Sequence, residues 1–256
     1  MRDMFDLEGK VAIITGGNGG IGKGIARGLA AVGSDIVIAA RNQQKTNEAV
    51  REIQDAFGVR VQGMQIDIEQ EKQIESLAKQ VRADFGKIDI LVNNAGVNIR
   101  KLPQDYQAAE WDQILDINLR GAFLFAKGVY PAMREAGGGK IINIGSMTSI
   151  LGGAKLAPYG ASKGGIVQLT LSLAVAWAAD NIQVNAILPG FINTELTSQA
   201  RKDMPDLNEK VLTRTPCGRW GEPDDLAGTA VYMASRASDF VTGIAVPVDG
   251  GFSVML

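Results

Sequence analysis

The chain has 256 residues, 46% hydrophobic and 21% charged, and its 26 Lys and Arg nearly balance 28 Asp and Glu for a net charge of −2. That profile suits an α/β domain with a large core and carries no basic footprint for nucleic acid or an anionic membrane. With no histidine and a single cysteine, Cys217, the chain cannot build a Ser-His-Asp or Cys-His hydrolase, a histidine-dependent dehydrogenase, an internal disulfide or a Cys/His zinc site, and no metal is expected.

Val11–Thr15 reads as the first strand and Ile21–Val32 as the helix after it. Strands at Asp35–Ala40, Val61–Ile66, Ile88–Asn93, Lys140–Gly145, Gln183–Leu188 and Ile244–Val248 then alternate with helical patterns. These lie at Gln43–Phe57, Gln70–Phe85, Ala109–Glu135, Tyr159–Ala179 and Asp224–Ser235. The strand runs are continuously apolar, as parallel strands covered on both faces require. Right-handed crossovers give a Rossmann-like, doubly wound α/β sheet of about seven parallel strands with helices on both faces. No linker or repeat interrupts it, so residues 1–256 are expected to form one domain. From Phe191 to Gly221 there is no strand signal, the composition turns polar, and Pro205 and Pro216 punctuate the stretch. About 30 residues without a sheet element suggests a substrate lid at 191–221. No apolar run approaches the ~18–20 residues of a membrane span, and the opening MRDMFDLEGK lacks a signal-peptide apolar region. The expected location is the cytoplasm, with no membrane partner.

Thr15-Gly16-Gly17-Asn18-Gly19-Gly20-Ile21-Gly22 follows the first strand and opens a helix. Glycines there let the backbone turn tightly and approach a pyrophosphate, which the helix N-terminus attracts. Two registers fit: Gly17, Gly19 and Gly22 match GxGxxG, and Gly16, Gly20 and Gly22 match GxxxGxG. An acidic residue at the end of the second strand would select NAD. This chain has Ala39-Ala40-Arg41-Asn42 instead, and the nearby Asp35 begins the strand. Arg41 can pair with a 2′-phosphate, so NADP(H) is the expected cofactor, with NAD(H) possible.

Tyr159-Gly160-Ala161-Ser162-Lys163 places Tyr159 and Lys163 on one helix face at i,i+4 spacing. A tyrosine becomes a base at neutral pH only if its pKa falls from about 10 to about 7, roughly 4 kcal/mol of differential stabilisation. A lysine ammonium and a positively charged nicotinamide would both act in that direction. Ser146 follows the run Lys140–Gly145 and so sits at the carboxyl end of a central strand, where doubly wound sheets bind ligands. It can donate to a substrate carbonyl oxygen while Tyr159 supplies the proton.

With these motifs in order the chain resembles the short-chain dehydrogenases/reductases over nearly its whole length. The likeness rests on the turn Thr15–Gly22, Asp67 after the third strand, Asn93-Asn94-Ala95-Gly96 after the fourth and Asn118 within a helix. It continues through Ser146, Tyr159 and Lys163 to Pro189-Gly190 and Thr194. The resemblance implies a catalytic set of Asn118, Ser146, Tyr159 and Lys163, with Asn118 anchoring a water that links Lys163 to solvent. It implies a cofactor site of Gly16, Asn18, Gly20, Ile21, Gly22, Arg41, Asn42, Asp67, Ile68, Asn94, Ala95, Gly96, Tyr159, Lys163, Pro189, Gly190, Ile192 and Thr194. Asp67 would contact the adenine, Asn93 would hold backbone geometry, Lys163 would also bind ribose hydroxyls, and Thr194 would bind the carboxamide. Many NADP-preferring members carry a second basic residue inside the glycine turn, where this chain has Asn18 and Gly19, so Arg41 would act largely alone. Relatives pair the two long helices as four-helix interfaces, which implies a homotetramer.

The implied reaction interconverts a secondary alcohol and a ketone of a small molecule. Asn98, Met147 to Leu156, Pro189-Gly190 and the segment after Phe191 should form its pocket, apolar at Met147, Ile150, Leu151 and Leu156, with Lys155 and Arg201 able to meet a carboxylate. The motifs Gly218-Arg219-Trp220-Gly221-Glu222-Pro223 and Val248-Asp249-Gly250-Gly251 resemble those of sugar-acid dehydrogenases such as 2-deoxygluconate 3-dehydrogenase and gluconate 5-dehydrogenase. The same motifs occur in 3-oxoacyl-carrier-protein reductases. A polyol or sugar acid is the favoured substrate, ahead of a 3-oxoacyl thioester and a broad range of ketones. A non-catalytic nucleotide-sensing protein on this fold has no need of Asn118, Ser146, Tyr159 and Lys163 together.

Overall fold

In the computed structural model, which describes residues 2–255, seven strands form at Val11–Thr15 (β1), Asp35–Ala40 (β2), Val61–Gln65 (β3), Ile90–Asn93 (β4), Gly139–Ile144 (β5), Ile182–Pro189 (β6) and Ala245–Val248 (β7). All pair in parallel, in the order β3-β2-β1-β4-β5-β6-β7. The order reverses between β1 and β4, and the crevice outside their carboxyl ends is where such sheets take ligands.

Helices cover both faces because the strands are apolar on both. On one face Ile25 and Leu29 of helix Gly20–Ala31 (α1) pack with Ile14, Ile38 and Met233 of helix Ala227–Ala234. On the other, Ile74 and Leu77 of Glu71–Phe85 (α3) meet Phe125 and Val129 of Gly121–Glu135 (α5) over Ile13 and Val37. Helix Gln43–Phe57 (α2) starts at Asn42, whose side chain accepts from the Lys45 N–H. Between the faces runs a buried polar chain: Asn93 donates to Asn143 at 2.9 Å, and Asn143 donates to Thr170 at 2.9 Å. Removing one member leaves another buried and unpaired, at a cost of about 1–3 kcal/mol.

Beyond shifts of a few residues at element ends, and a 3₁₀ turn at Pro223–Leu226 that opens the last helix, the structure departs from the sequence reading in two places. The stretch expected as one helix, Ala109–Glu135, is an α-helix at Ala108–Leu115 (α4), a π-turn at Asp116–Arg120 that contains Asn118, and then α5. Residues 191–221 lack a named strand, as expected, yet they hold two helices, Glu195–Asp203 (α7) and Leu207–Arg214 (α8), and one parallel bridge from Ile192 to Gly221. Thr194 and Thr197 form the capping box of α7, a short-range signal that the polar composition concealed. Asp35 lies at the amino end of β2, where its carboxylate accepts from the Arg60 N–H at 2.9 Å, far from the crevice.

Candidate active site

The glycine turn resolves the register. Gly16 (φ 65°) and Gly20 (φ 49°) occupy the left-handed region, whereas Gly17 and Gly19 do not. A Cβ on Gly22 would lie 2.5 Å from the Gly16 carbonyl oxygen and against the Asn94 amide, so that helix position must be bare. Gly16, Gly20 and Gly22 therefore carry the motif, in the GxxxGxG spacing. Thr15, not singled out in the sequence, fixes the turn: its hydroxyl accepts from the N–H groups of Asn94 and Ala95 at 2.9 and 3.0 Å. The Asn94 amide in turn donates to the Thr15 carbonyl at 2.9 Å. The result is a backbone cradle with no side chain in the way, which fits a dinucleotide pyrophosphate.

Two adjoining cavities of about 340 Å³ share this cradle. One runs from Gly16, Asn18, Gly20 and Ile21 past Asn94, Ala95 and Gly96 to Ser146, Tyr159 and Lys163, roofed by Pro189, Gly190, Ile192 and Thr194. The other is bounded by Arg41, Asn42, Asp67 and Ile68. Of the expected cofactor residues only Gly22 lines neither, since it lies beneath the turn. Asn42 caps α2, and Asp67 accepts from the Glu69 N–H at 3.1 Å. The Arg41 guanidinium has no partner among the described residues.

At the far end the helix Ala157–Trp177 (α6) presents Tyr159 and Lys163. Ser146 lines the same cavity as Tyr159 and acts on its phenol, and its extended backbone starts a 3₁₀ turn at Met147–Ser149. Lys163 is buried, donates to the Ile144 carbonyl at 2.7 Å, and holds its Nζ 5.8 Å from the Tyr159 ring centre. Asn118, also buried, makes no hydrogen bond to Tyr159. Its amide bridges the Val97 backbone in both directions, at 2.8 and 2.9 Å, and donates to Ser162 at 3.1 Å. Ser162, quoted in the motif but given no role there, donates to the Tyr159 carbonyl at 2.7 Å and so ties Asn118 to the first turn of α6. Its place inside the Tyr159–Lys163 spacing was the one available signal.

The electrostatics differ from the expectation. Burial raises the Tyr159 phenol above its ordinary pKa, against the opposing pull of the Ser146 hydrogen bond and the charge of Arg100. Burial lowers Lys163 to about 8. In the chain without cofactor, desolvation therefore outweighs the charges acting on the phenol, and the expected phenolate calls for the nicotinamide cation as well as Lys163. The cation that acts on the phenol is Arg100, which sequence reasoning passed over. Its guanidinium pairs with no carboxylate among the described residues. Of the two cations expected at the rim, Arg201 is engaged within 191–221, donating to Asn193 at 2.8 Å and stacking 4.4 Å over Trp220. Lys155 is exposed.

The comparisons agree with this geometry. A family model described as enoyl-(acyl carrier protein) reductase, within the short-chain dehydrogenases/reductases, matches residues 16–253. The chain is 42% identical over 249 residues to 2-dehydro-3-deoxy-D-gluconate 5-dehydrogenase of Dickeya dadantii, covering 97% of each. It is 38% identical over 254 residues to 5-keto-D-gluconate 5-reductase of Escherichia coli, covering 99% of each. A crystal structure of gluconate 5-dehydrogenase from Burkholderia cenocepacia, in complex with NADP and tartrate, superposes with a TM-score of 0.95 at 40% identity, over 100% of this chain and 99% of that one. Among the described residues no helix is long and apolar enough to cross a membrane. With this fold, this cradle and these relatives, the chain belongs to the short-chain dehydrogenase/reductase family and is an oxidoreductase that interconverts a secondary alcohol and a ketone.

Proposed function

We propose that the substrate is a small sugar acid, that NADP(H) is preferred over NAD(H), and that the enzyme works as a cytoplasmic homotetramer. What carries the substrate class is the likeness of nearly the whole chain to enzymes named for gluconate derivatives. Arg100, whose charge acts on the Tyr159 phenol and which pairs with no carboxylate among the described residues, is our candidate to hold the carboxylate while Tyr159 and Ser146 serve the reacting oxygen. Buried oxygens without partners, Oδ1 of Asn98 and Oγ1 of Thr148, support a substrate rich in hydroxyl donors. The relatives named above act on gluconate derivatives, and the Burkholderia enzyme was crystallised with a hydroxy-dicarboxylate.

The dinucleotide, when bound, supplies or accepts the hydride. Gly16, Asn18, Gly20, Ile21 and Gly22 would hold its phosphates, and Arg41, Asn42, Asp67 and Ile68 its adenosine. Asn94, Ala95, Gly96, Pro189, Gly190, Ile192 and Thr194 would line its nicotinamide half. In reduction the Tyr159 phenol gives its proton to the substrate oxygen, to which Ser146 also donates. Lys163 passes a proton back to Tyr159, and Asn118, at the π-turn, anchors the water that replenishes it. Residues 191–221 close over the cleft as a lid, and two observations support that placement: Thr194 lines the cleft, and a Cβ on Gly20 would lie 3.3 Å from its side chain. Exposed Phe123, Leu171 and Val175, on α5 and α6, support assembly through those helices, which light scattering would read.

The test is a panel of keto-sugar acids, uncharged ketoses, 3-oxoacyl thioesters and simple ketones, followed by NADPH and NADH absorbance. Tyr159→Phe should abolish turnover and leave cofactor binding intact. Arg100→Gln should raise KM for sugar acids about tenfold and spare uncharged substrates. Equal effects on charged and uncharged substrates, or preference for the thioester, would overturn the assignment.

A further inference from the structure

The glycine turn of this chain has no basic residue of its own, yet a cation stands over it. Lys45, in the first turn of α2, reaches across the cleft to Glu195 at the start of α7, with Nζ 2.7 Å from both carboxylate oxygens. A Cβ on Gly19 would lie 3.0 Å from that Nζ. The ammonium therefore occupies space into which a side chain from the turn would project. Lys45 lines both cavities, the one running to Tyr159 and the one bounded by Arg41 and Asn42.

We propose that Lys45 is the second cation of the subsite for the adenosine 2′-phosphate, and that it gives up Glu195 when that phosphate binds. The inference rests on the NADP(H) preference proposed above. The neighbouring cations do not compete for the role: Lys23 and Arg27 both pair with Glu52 at 2.9 Å. The Lys45–Glu195 pair is easily exchanged, since the Glu195 side chain is 86% exposed and exposed ion pairs contribute little to stability. A phosphate dianion held between Arg41 and Lys45 offers stronger charge-assisted hydrogen bonds than one carboxylate. A cofactor that ends in a 2′-hydroxyl offers no such exchange and leaves Lys45 on Glu195. Discrimination would then come from two side chains on either side of Asn42, one at the end of β2 and one on α2. It would also place the first residue of α7, on the proposed lid, in contact with the group that senses the phosphate.

Calorimetric titration with adenosine 2′,5′-bisphosphate and 5′-AMP reads this without turnover, and fluorescence titration of NADPH and NADH repeats it on the whole cofactor. Lys45→Gln should weaken the bisphosphate and NADPH about tenfold and change 5′-AMP and NADH less than about twofold. Lys45→Arg should retain most of the preference, and Glu195→Gln, which removes the competing carboxylate, should tighten the bisphosphate and NADPH. Unchanged melting temperatures would verify folding. An equal loss for both ligand pairs would assign Lys45 to the shared phosphates and overturn the proposal, as would no loss at all. If Arg41→Asp lowers NADPH selectivity while Lys45→Gln does not, only the role of Lys45 falls. If the wild-type enzyme does not distinguish the two ligand pairs and Arg41→Asp changes nothing, the NADP(H) preference falls as well.

Discussion

Replacing Lys163 by methionine tests the claim that burial, not ion pairing, controls this lysine. Its pKa falls from the ordinary 10.5 to about 8 in the folded chain. The unfolded chain therefore binds more protons than the folded one between those two values, and stability must rise with pH across that window. At about 1.4 kcal/mol per pH unit the full contribution is about 3 kcal/mol, most of it realised by pH 10. Methionine has similar length and no charge, so Lys163→Met removes the contribution, along with the hydrogen bond to the Ile144 carbonyl. Urea unfolding of both proteins at pH 7 and pH 10, at fixed protein concentration, isolates the effect, since all other titrating groups are common to the pair. The wild type should gain about 2–3 kcal/mol on the variant between the two pH values. A stability difference that stays constant from pH 7 to pH 10 would refute the reasoning, and one that moves the other way would require a counter-charge beside Lys163.

Because burial keeps Tyr159 protonated through neutral pH, kcat/KM for ketone reduction should be level between pH 6 and 8 while kcat/KM for alcohol oxidation climbs with pH. Reduction that accelerates with rising pH would contradict a phenol as the acid. Gly22→Ala places a methyl 2.5 Å from the Gly16 oxygen and should cost about 1–3 kcal/mol together with affinity for NADPH. Wild-type unfolding and binding by that variant would show that the turn has room to move.

The sheet was legible because parallel strands covered on both faces are continuous apolar runs, and β1 and β2 begin and end where those runs do. Tyr159, Lys163 and Ser146 were legible because their chemistry is tied to local position, one helical turn apart and at a strand end. What escaped was set by distance in space. Arg100 follows β4 by several residues with no pattern to mark it, and only the folded chain brings it to a tyrosine on α6. Lys45 looks like an ordinary exposed helix residue until α7 and Gly19 are set beside it. The register of the glycine turn was undecidable from spacing, because two sets of glycines fit and only the left-handed backbone at Gly16 and Gly20 separates them. The π-turn around Asn118 was hidden for a related reason: the apolar pattern runs through it unbroken, and the extra residue shows only in the backbone hydrogen bonds.

Burial, which raises the Tyr159 phenol in the chain without cofactor, suits the two titrating groups to proton transfer. Raising Tyr159 keeps the proton on the residue that must donate it, and lowering Lys163 to about 8 brings the next proton donor close to the working pH, where general acids and bases operate best. Lys163 lies 5.8 Å from the Tyr159 ring, and it is Arg100 whose charge favours the phenolate. A carboxylate bound to Arg100 would therefore have two effects. It would orient the substrate, and it would mask the charge that favours the phenolate, so that Tyr159 keeps its proton until the substrate oxygen becomes basic enough to take it.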